Sequence, residues 1–285
     1  SPDRRPPPFL YDLVPQGRGR QLLVNLLARA DSDDLVLPLL MAGAFNPIGR
    51  LRINAAVTFY QDYVARHAPS APLDGFTLGD MQAKSDTMLE QLALHAMLAS
   101  GTTGVQGVAP KFLLTQRDDG LWFPDLALPD HQAREHWLVK LPRGRTPEDL
   151  LVHRHEAAYL RVAQACGVRS HGAPMMHGNL LFVRRFDRRV TPHGVERLHQ
   201  ESVASLVGLR GFGAPTTQNH ILAAIRRHAT DPMAETIEFL KRDVLNMALR
   251  NTDNHARNTA MQILPDGTVQ LTPLFDFAPM YRDPE

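Results

Sequence analysis

The chain carries a single cysteine, Cys166, in 285 residues. One thiol excludes an internal disulfide and any multi-cysteine metal site, and it fits a reducing compartment, so a cytoplasmic location is expected. Charge of one sign is lacking too, the formal balance being +1. No global basic field points to nucleic acid, and direct nucleic-acid binding by this stretch is not expected. Long apolar runs are also missing. The longest, Leu35 to Ala42, falls far short of the roughly 20 residues that cross a bilayer, and no signal peptide is visible, so no membrane partner is expected. The sequence starts at Ser1 without Met and stops at Glu285, and it is read as a piece of a longer protein. Hydrophobic residues at 44% and charged residues at 21% leave an ordinary globular composition with length for a sizeable core.

What is present is concentrated near the end. Asn251-Thr252-Asp253-Asn254-His255-Ala256-Arg257-Asn258 places Asp253 and Asn258 in a D-x-x-x-x-N spacing, and Asp276 opens a D-F-A triplet soon after. Phosphotransfer of the protein-kinase type needs such parts: one Asp to take the proton of the attacking hydroxyl, an Asn and a second Asp to hold Mg²⁺ against nucleotide phosphates. Between them, Thr259–Leu264 and Thr268–Leu271 flank Pro265-Asp266-Gly267, a hairpin turn that would return Asp276 to the neighbourhood of Asn258. A polar run before a hairpin is ordinarily a cap and a loop, so the motif alone does not decide.

Upstream segments add to it. Gln16–Arg29 reads as an amphipathic helix, Ile48–Ile53 as a turn into a strand, and Asp80–Ala99 as a second helix. Gly104-Val105-Gln106-Gly107 then precedes an apolar strand, a spacing that could cradle phosphates and is equally a plain turn. His136–Pro142 is a short strand interrupted by Lys140, either an edge lysine or the phosphate-pairing lysine. Thr146-Pro147-Glu148-Asp149 begins a helix running to about Ala165 and stopping at Gly167, with Glu156 placed to orient Lys140 or to face solvent. Gly178–Arg189 reads as a strand with a charged exit, in which Arg188 and Arg189 are expected at an exposed strand end. Thr191–Gly194 is a turn. Beyond it Glu201–Val207, Asn219–His228 and Ala234–Asn251 read as helices.

These residues together resemble the HipA-like serine/threonine kinases, the toxin halves of bacterial toxin–antitoxin pairs. The matching segments are Gly104-Val105-Gln106, His136–Pro142, His155-Glu156, Arg185-Phe186-Asp187-Arg188, Leu198-His199-Gln200-Glu201, Asn251–Asn258 and Leu271–Asp276, collinear from about Gly101 onward. The resemblance implies an α+β, two-lobed kinase-like fold: a small α/β N-terminal subdomain (1–93), a kinase N-lobe (94–190) and a mostly helical C-lobe (191–285). It implies ATP and Mg²⁺ as cofactors, a protein substrate and a small DNA-binding antitoxin as partner. Asp253 is implied as catalytic base and Asn258 and Asp276 as Mg²⁺ ligands. Lys140, Glu156, Gly104, Val105, Gln106, Phe186, Asp187 and His255 are implied around the nucleotide, and Ser100, Thr102 and Thr103 as candidates for autophosphorylation. Three positions depart from the pattern. Arg184 stands where an acid often precedes R-F-D-R, Arg257 replaces the commoner lysine, and Lys111 comes later than the glycine-loop pattern would put it. A small-molecule phosphotransferase and a non-catalytic kinase-like module remain as alternatives.

Overall fold

The computed structural model describes residues 6–67, 74–83, 111–142, 146–211 and 214–280. The glycine segment 104–107, the hydroxyls at 100, 102 and 103, and most of the helix expected over 80–99 lie outside the described residues.

Helices come first: α1 (Gly17–Leu26), α2 (Val36–Gly43), α3 (Asn54–His67) and the short α4 (Leu78–Ala83), preceded by a 3-10 turn over Pro8–Leu13. Leu23, Leu39, Leu40, Phe45 and Tyr60 form a core shared by α1 to α3, which Leu113 joins and Leu138 packs against. Ile48–Ile53 is not a strand, contrary to expectation. Gly49 turns at φ +93°, and its N–H and carbonyl are taken by the side chains of Asp187 and Arg188. With both peptide groups of Gly49 bonded to side chains and the Ile53 N–H on the Ala44 carbonyl, these groups do not enter a strand ladder. The described N-terminal residues are therefore helical rather than α/β, apart from one bridge between Phe76 and Trp122.

A five-stranded antiparallel sheet follows, in the order β2-β1-β3-β5-β4. Its strands are β1 (Lys111–Arg117), β2 (Trp122–Pro124), β3 (Ala133–Lys140), β4 (Met175–His177) and β5 (Leu180–Arg184). Alternation along β1 and β3 splits their side chains between two faces. Leu114, Trp137 and Val139 join Trp122, Leu180 and Phe182 on one face. Leu113 and Leu138, paired across the ladder, pack on the N-terminal helices. Lys111 and Lys140 are also direct partners in that register. Helix α5 (Pro147–Ala165) links β3 to β4. Thr146 accepts from the Asp149 N–H and the Asp149 side chain answers the Thr146 N–H, a capping box with Pro at the first turn. Gly167, at φ +70°, ends it.

The remainder is less helical than expected. A hairpin of β6 (Arg188–Thr191) and β7 (Gly194–Arg197) straddles the anticipated boundary at 190. Strand β8 (His199–Ser202) then pairs with β9 (Ala260–Ile263), which pairs with β10 (Val269–Leu271). Glu201 is thus in a strand, opposite Met261, and only the short α6 (Val203–Leu206) follows it. Long-range pairing overrides the local preference there. Helices α7 (Gln218–His228) and α8 (Pro232–Ala248) pack Ile221, Ile225 and Phe239 against Val203, Met261 and Leu271. On the far side of α8, Met233, Ile237, Leu240, Val244 and Met247 are exposed.

Candidate active site

The hairpin of β9 and β10 closes in register, with Val269 opposite Ile263, and it delivers the chain from Asn258 back to Asp276. Charged side chains fix the returning segment. Arg169 donates to the Leu271 carbonyl (2.7 Å) and to Glu235, Glu235 accepts the Leu271 N–H (2.7 Å), and Arg242 donates to the Thr272 carbonyl (2.7 Å). Asp276 itself adopts φ +49°. An L residue seldom takes that conformation, and such outliers concentrate at functional positions.

Lys140, at the end of β3, donates to Glu156 Oε1 of α5 (2.5 Å) and to Asp276 Oδ1. Burial by itself would lower the Lys140 pKa, but Asp276 and Glu156 outweigh it and hold the ammonium charged. It is no edge lysine: β3 lies inside the sheet and Lys140 is buried. Lys111, its ladder partner, lies 3.9 Å from Asp276 Oδ1. Burial pulls the Lys111 pKa down to about 8 against the pull of Asp276. Burial pushes the Asp276 carboxyl up, yet Lys111 and Lys140 bring it down to about 2, so it is ionised. Its Oδ2 is buried with no hydrogen-bond partner. Such an atom calls for an explanation, and a missing ligand supplies one.

The loop after α8 leaves through Arg250 in the left-handed region, φ +57°. Asn251 bonds back to Asn246 (2.8 Å) and accepts from the Asp253 N–H (3.3 Å), and Asn254 is tied to Asp243 (3.0 Å). Asn258 Nδ2 donates to the Asp253 carbonyl (2.8 Å) and to its Oδ2 (3.1 Å). The Asn258 carbonyl oxygen is therefore its remaining acceptor. Burial raises the Asp253 carboxyl against the lowering pull of His255 and the Asn258 bond. His255 Nε2 lies 3.3 Å from Asp253 Oδ1.

Two hollows meet at Asp276. Asp253, Asn254, Asn258, Phe275 and Asp276 line a small polar one. The larger cleft is lined by Leu138, Lys140, Glu156, Phe186, Phe275 and Asp276 among others, with the Phe186 and Phe275 rings 6.0 Å apart. Lys140, Glu156, Asp253, His255, Asn258 and Asp276 are thus brought together. Asp187 borders the cleft, but its oxygens accept from Arg185 (2.7 and 3.0 Å), Arg188 (2.6 Å) and the Gly49 N–H (2.7 Å). Arg188 is buried in that network, which corrects the exposed strand end expected for it. Arg189 alone is exposed, paired with Glu196 (2.6 Å). Arg184 sits at the cleft rim, donating to Glu135 (2.8 Å) over the Trp137 ring.

Three residues escaped the sequence reading. Lys111 was passed over as out of pattern, although its place opening the strand before the lysine strand was the available signal. His199 Nδ1 and Gln200 Oε1 are buried, unpartnered atoms of residues on the cleft wall. Their signal was the Leu198–Glu201 segment, quoted for resemblance but given no role.

Three comparisons fit this arrangement. Residues 103–285 match the family model of the HipA-like C-terminal domain. A protein of Sinorhizobium fredii named "Putative kinase Y4dM" is 26% identical over 286 aligned residues, covering 95% of this chain and 61% of that protein. A solved Shewanella oneidensis HipA, from a complex with HipB and operator DNA, superposes with TM-score 0.63 at 19% identity. That match covers 96% of this chain and 64% of the other. The chain therefore spans less than two thirds of either relative and shares the HipA fold.

Proposed function

The chain belongs to the HipA-like C-terminal domain family, and from that premise we propose that it is an ATP- and Mg²⁺-dependent serine/threonine protein kinase with two lobes meeting at Asp276. The observation that carries the reading is the position of Asp276. It lies between the buried cations Lys111 and Lys140 and the polar loop of Asp253 and Asn258, with one carboxylate oxygen unpartnered.

The donor set suits a magnesium ion. Among the described residues no cluster of acids, His or Cys forms a full cage, and Mg²⁺ asks for no cage, since it binds through one or two carboxylates and keeps waters and phosphate oxygens. Asn258 and Asp276 would hold it, where it would neutralise charge on the nucleotide phosphates. Lys140, oriented by Glu156, pairs with those phosphates, and the apolar walls of Leu138, Phe186 and Phe275 take the base. Asp253 accepts the proton of the substrate hydroxyl as its oxygen bonds to the γ-phosphorus and the bond to the β-phosphate oxygen breaks, releasing ADP. Gly104, Val105 and Gln106 are proposed as phosphate contacts, and Ser100, Thr102 and Thr103 as candidate autophosphorylation sites. The structural neighbour was solved with HipB and operator DNA, and a small DNA-binding antitoxin is the partner we propose, in the cytoplasm.

The test combines binding and product. MgATP should raise the melting temperature, and phosphoprotein mass spectrometry should find phosphoserine or phosphothreonine on a protein. Asp276→Asn should weaken MgATP binding far more than metal-free ATP binding. Equal loss of both would assign Asp276 a structural role only.

A further inference from the structure

The N-terminal segment reaches the catalytic loop through one carboxylate. Pro8–Leu13 is a 3-10 turn anchored by buried Tyr11, Leu13 and Val14. Between the anchors, Asp12 Oδ1 accepts from Ser202 Oγ (2.7 Å) and Arg257 Nη1 (2.8 Å), and Oδ2 accepts the Ser202 N–H (2.8 Å). Both partners are strategic. Ser202 caps α6 through the Ser205 N–H (3.1 Å) and pairs with Ala260 across β8 and β9. The first turn of α6 then grips the loop directly, with the Val203 N–H on the Thr259 carbonyl (2.8 Å) and the Ala204 N–H on that of Ala256 (3.1 Å).

Arg257 lies inside the loop, between Asp253 and Asn258. Its side chain is only 6% exposed, and its second arm donates to the Gly211 carbonyl (2.5 Å). Its own N–H donates to His255 Nδ1 (3.2 Å), and the other ring nitrogen of His255 faces Asp253. Hydrogen bonds thus run from Asp12 through Arg257 to His255, whose Nε2 makes no hydrogen bond but lies 3.3 Å from Asp253 Oδ1. Some 245 residues of sequence separate Asp12 from Arg257.

We propose that Asp12 is a positioning residue for the catalytic loop, which makes the N-terminal segment a working part of the phosphotransfer site. The proposal rests on the reading of Asp253 as the base. The Arg257 fork is held at both arms, one by the Asp12 carboxylate and the other by the Gly211 carbonyl, which fixes direction as well as distance, and displacing a reacting group by about 1 Å can reduce rate about 100-fold. Asp12→Asn leaves one acceptor oxygen where two are used, so its amide NH2 must face either Arg257 and the Ser202 hydroxyl or the Ser202 N–H, and one side of the bridge is lost.

Two measurements on the full chain decide it. In Asp12→Asn, hydrogen exchange at residues 253–258 should accelerate while α5 keeps its protection, and this readout requires no activity. In kinetics, kcat should fall by up to about 100-fold while KM for MgATP holds. Arg257→Met, which leaves the Asp12–Ser202 bonds in place and removes the cation, should show the same pattern if Asp12→Asn fails to fold. Unchanged exchange across 253–258, or an unchanged kcat beside faster exchange, overturns the proposal. A parent protein that transfers no phosphate would defeat the kinase reading instead, and the exchange data would still report whether Asp12 holds the loop.

Discussion

Two of the buried charge clusters among the described residues differ in the closure of their carboxylates. In the first, Asp125 accepts from Thr115, His136, Asn46 and Arg185, while Asp187 accepts from Arg185, Arg188 and the Gly49 N–H. Each carboxylate oxygen is used, with His136 Nε2 the buried polar atom there that has no partner, and the two acids balance the two arginines. In the second, Lys111, Lys140 and Glu156 are buried and Asp276 is partly buried, its side chain 14% exposed, with Oδ2 left without a partner. A closed cluster joins segments and holds them. An open one keeps desolvated charge ready for something that is not protein. Buried polar groups are costly when half satisfied, so an open cluster that persists suggests a ligand, whereas a closed one suggests architecture.

The comparison breaks most sharply at Asp253. Asp253→Ala should lower phosphotransfer by about 10²–10⁴, the usual effect of losing a positioned base, while thermal stability stays near that of the parent. The carboxylate is partly exposed, its side chain 32% accessible, and removes no core contact. Full activity in the variant would dismiss Asp253 as the base.

Arg185→Met should behave in the opposite way. It removes the one side chain that bonds both Asp125 and Asp187 (2.9 and 2.7 Å). Breaking a buried pair by deleting one partner typically destabilises by about 3–5 kcal/mol. Urea unfolding should show a loss of that size; a loss below about 1 kcal/mol would mean that the cluster relaxes or takes up water, and that closure is not what distinguishes it.

What the sequence revealed follows the same division. Local devices were legible: the Thr146–Asp149 capping box, the turn at Pro265-Asp266-Gly267 and the spacing of Asp253 and Asn258 each act within a few residues. The return of Asp276 to the Asn258 loop was legible too, because a hairpin is a local event. The closed cluster was not. Gly49 and Asp187 are 138 residues apart, and nothing in Arg185-Phe186-Asp187-Arg188 says that both arginines point inward. Reading Arg188 as exposed and Ile48–Ile53 as a strand were one error seen from two ends, since the Arg188 guanidinium and the Gly49 peptide bind one another. Strand β8 was hidden for a related reason: His199–Ser202 becomes a strand only because Ala260–Ile263 lies beside it.

Acid should sharpen the contrast. Burial alone would raise the Asp187 carboxyl, but Arg185 and Arg188 outweigh it and bring it down to about 2. For Asp125 burial is again overcome, by Arg185 and His136, and it sits well below the usual range. Both pKa values are depressed on folding, so their contribution is complete above the unfolded value of about 3.9 and disappears as pH falls toward 2. Urea midpoints should fall most steeply below about pH 4, beneath the gentler decline that the burial-lowered His153 and His171 cause below about pH 6.5. In Asp187→Asn the drop should be shallower by about one proton. An identical acid limb in parent and variant would show that Asp187 is not ionised against its arginines.

The smallest effect is expected one residue away. Arg184 and Arg185 are neighbours in β5 and its exit, yet the Arg184 side chain is 43% exposed and that of Arg185 is 1% exposed. Arg184 pairs with Glu135 at 2.8 Å and lies over the Trp137 ring, 5.3 Å from its centre. Water screens such a pair, and exposed pairs contribute at most about 1 kcal/mol; an exposed cation–π contact adds a similar or smaller amount. Arg184→Ala should therefore shift stability by no more than about 2 kcal/mol, less than Arg185→Met. Because Arg184 also borders the cleft, MgATP affinity should be measured in the same variant. A stability loss as large as that of Arg185→Met would show that exposure is the wrong variable, and that the rim arginine belongs to the closed cluster after all.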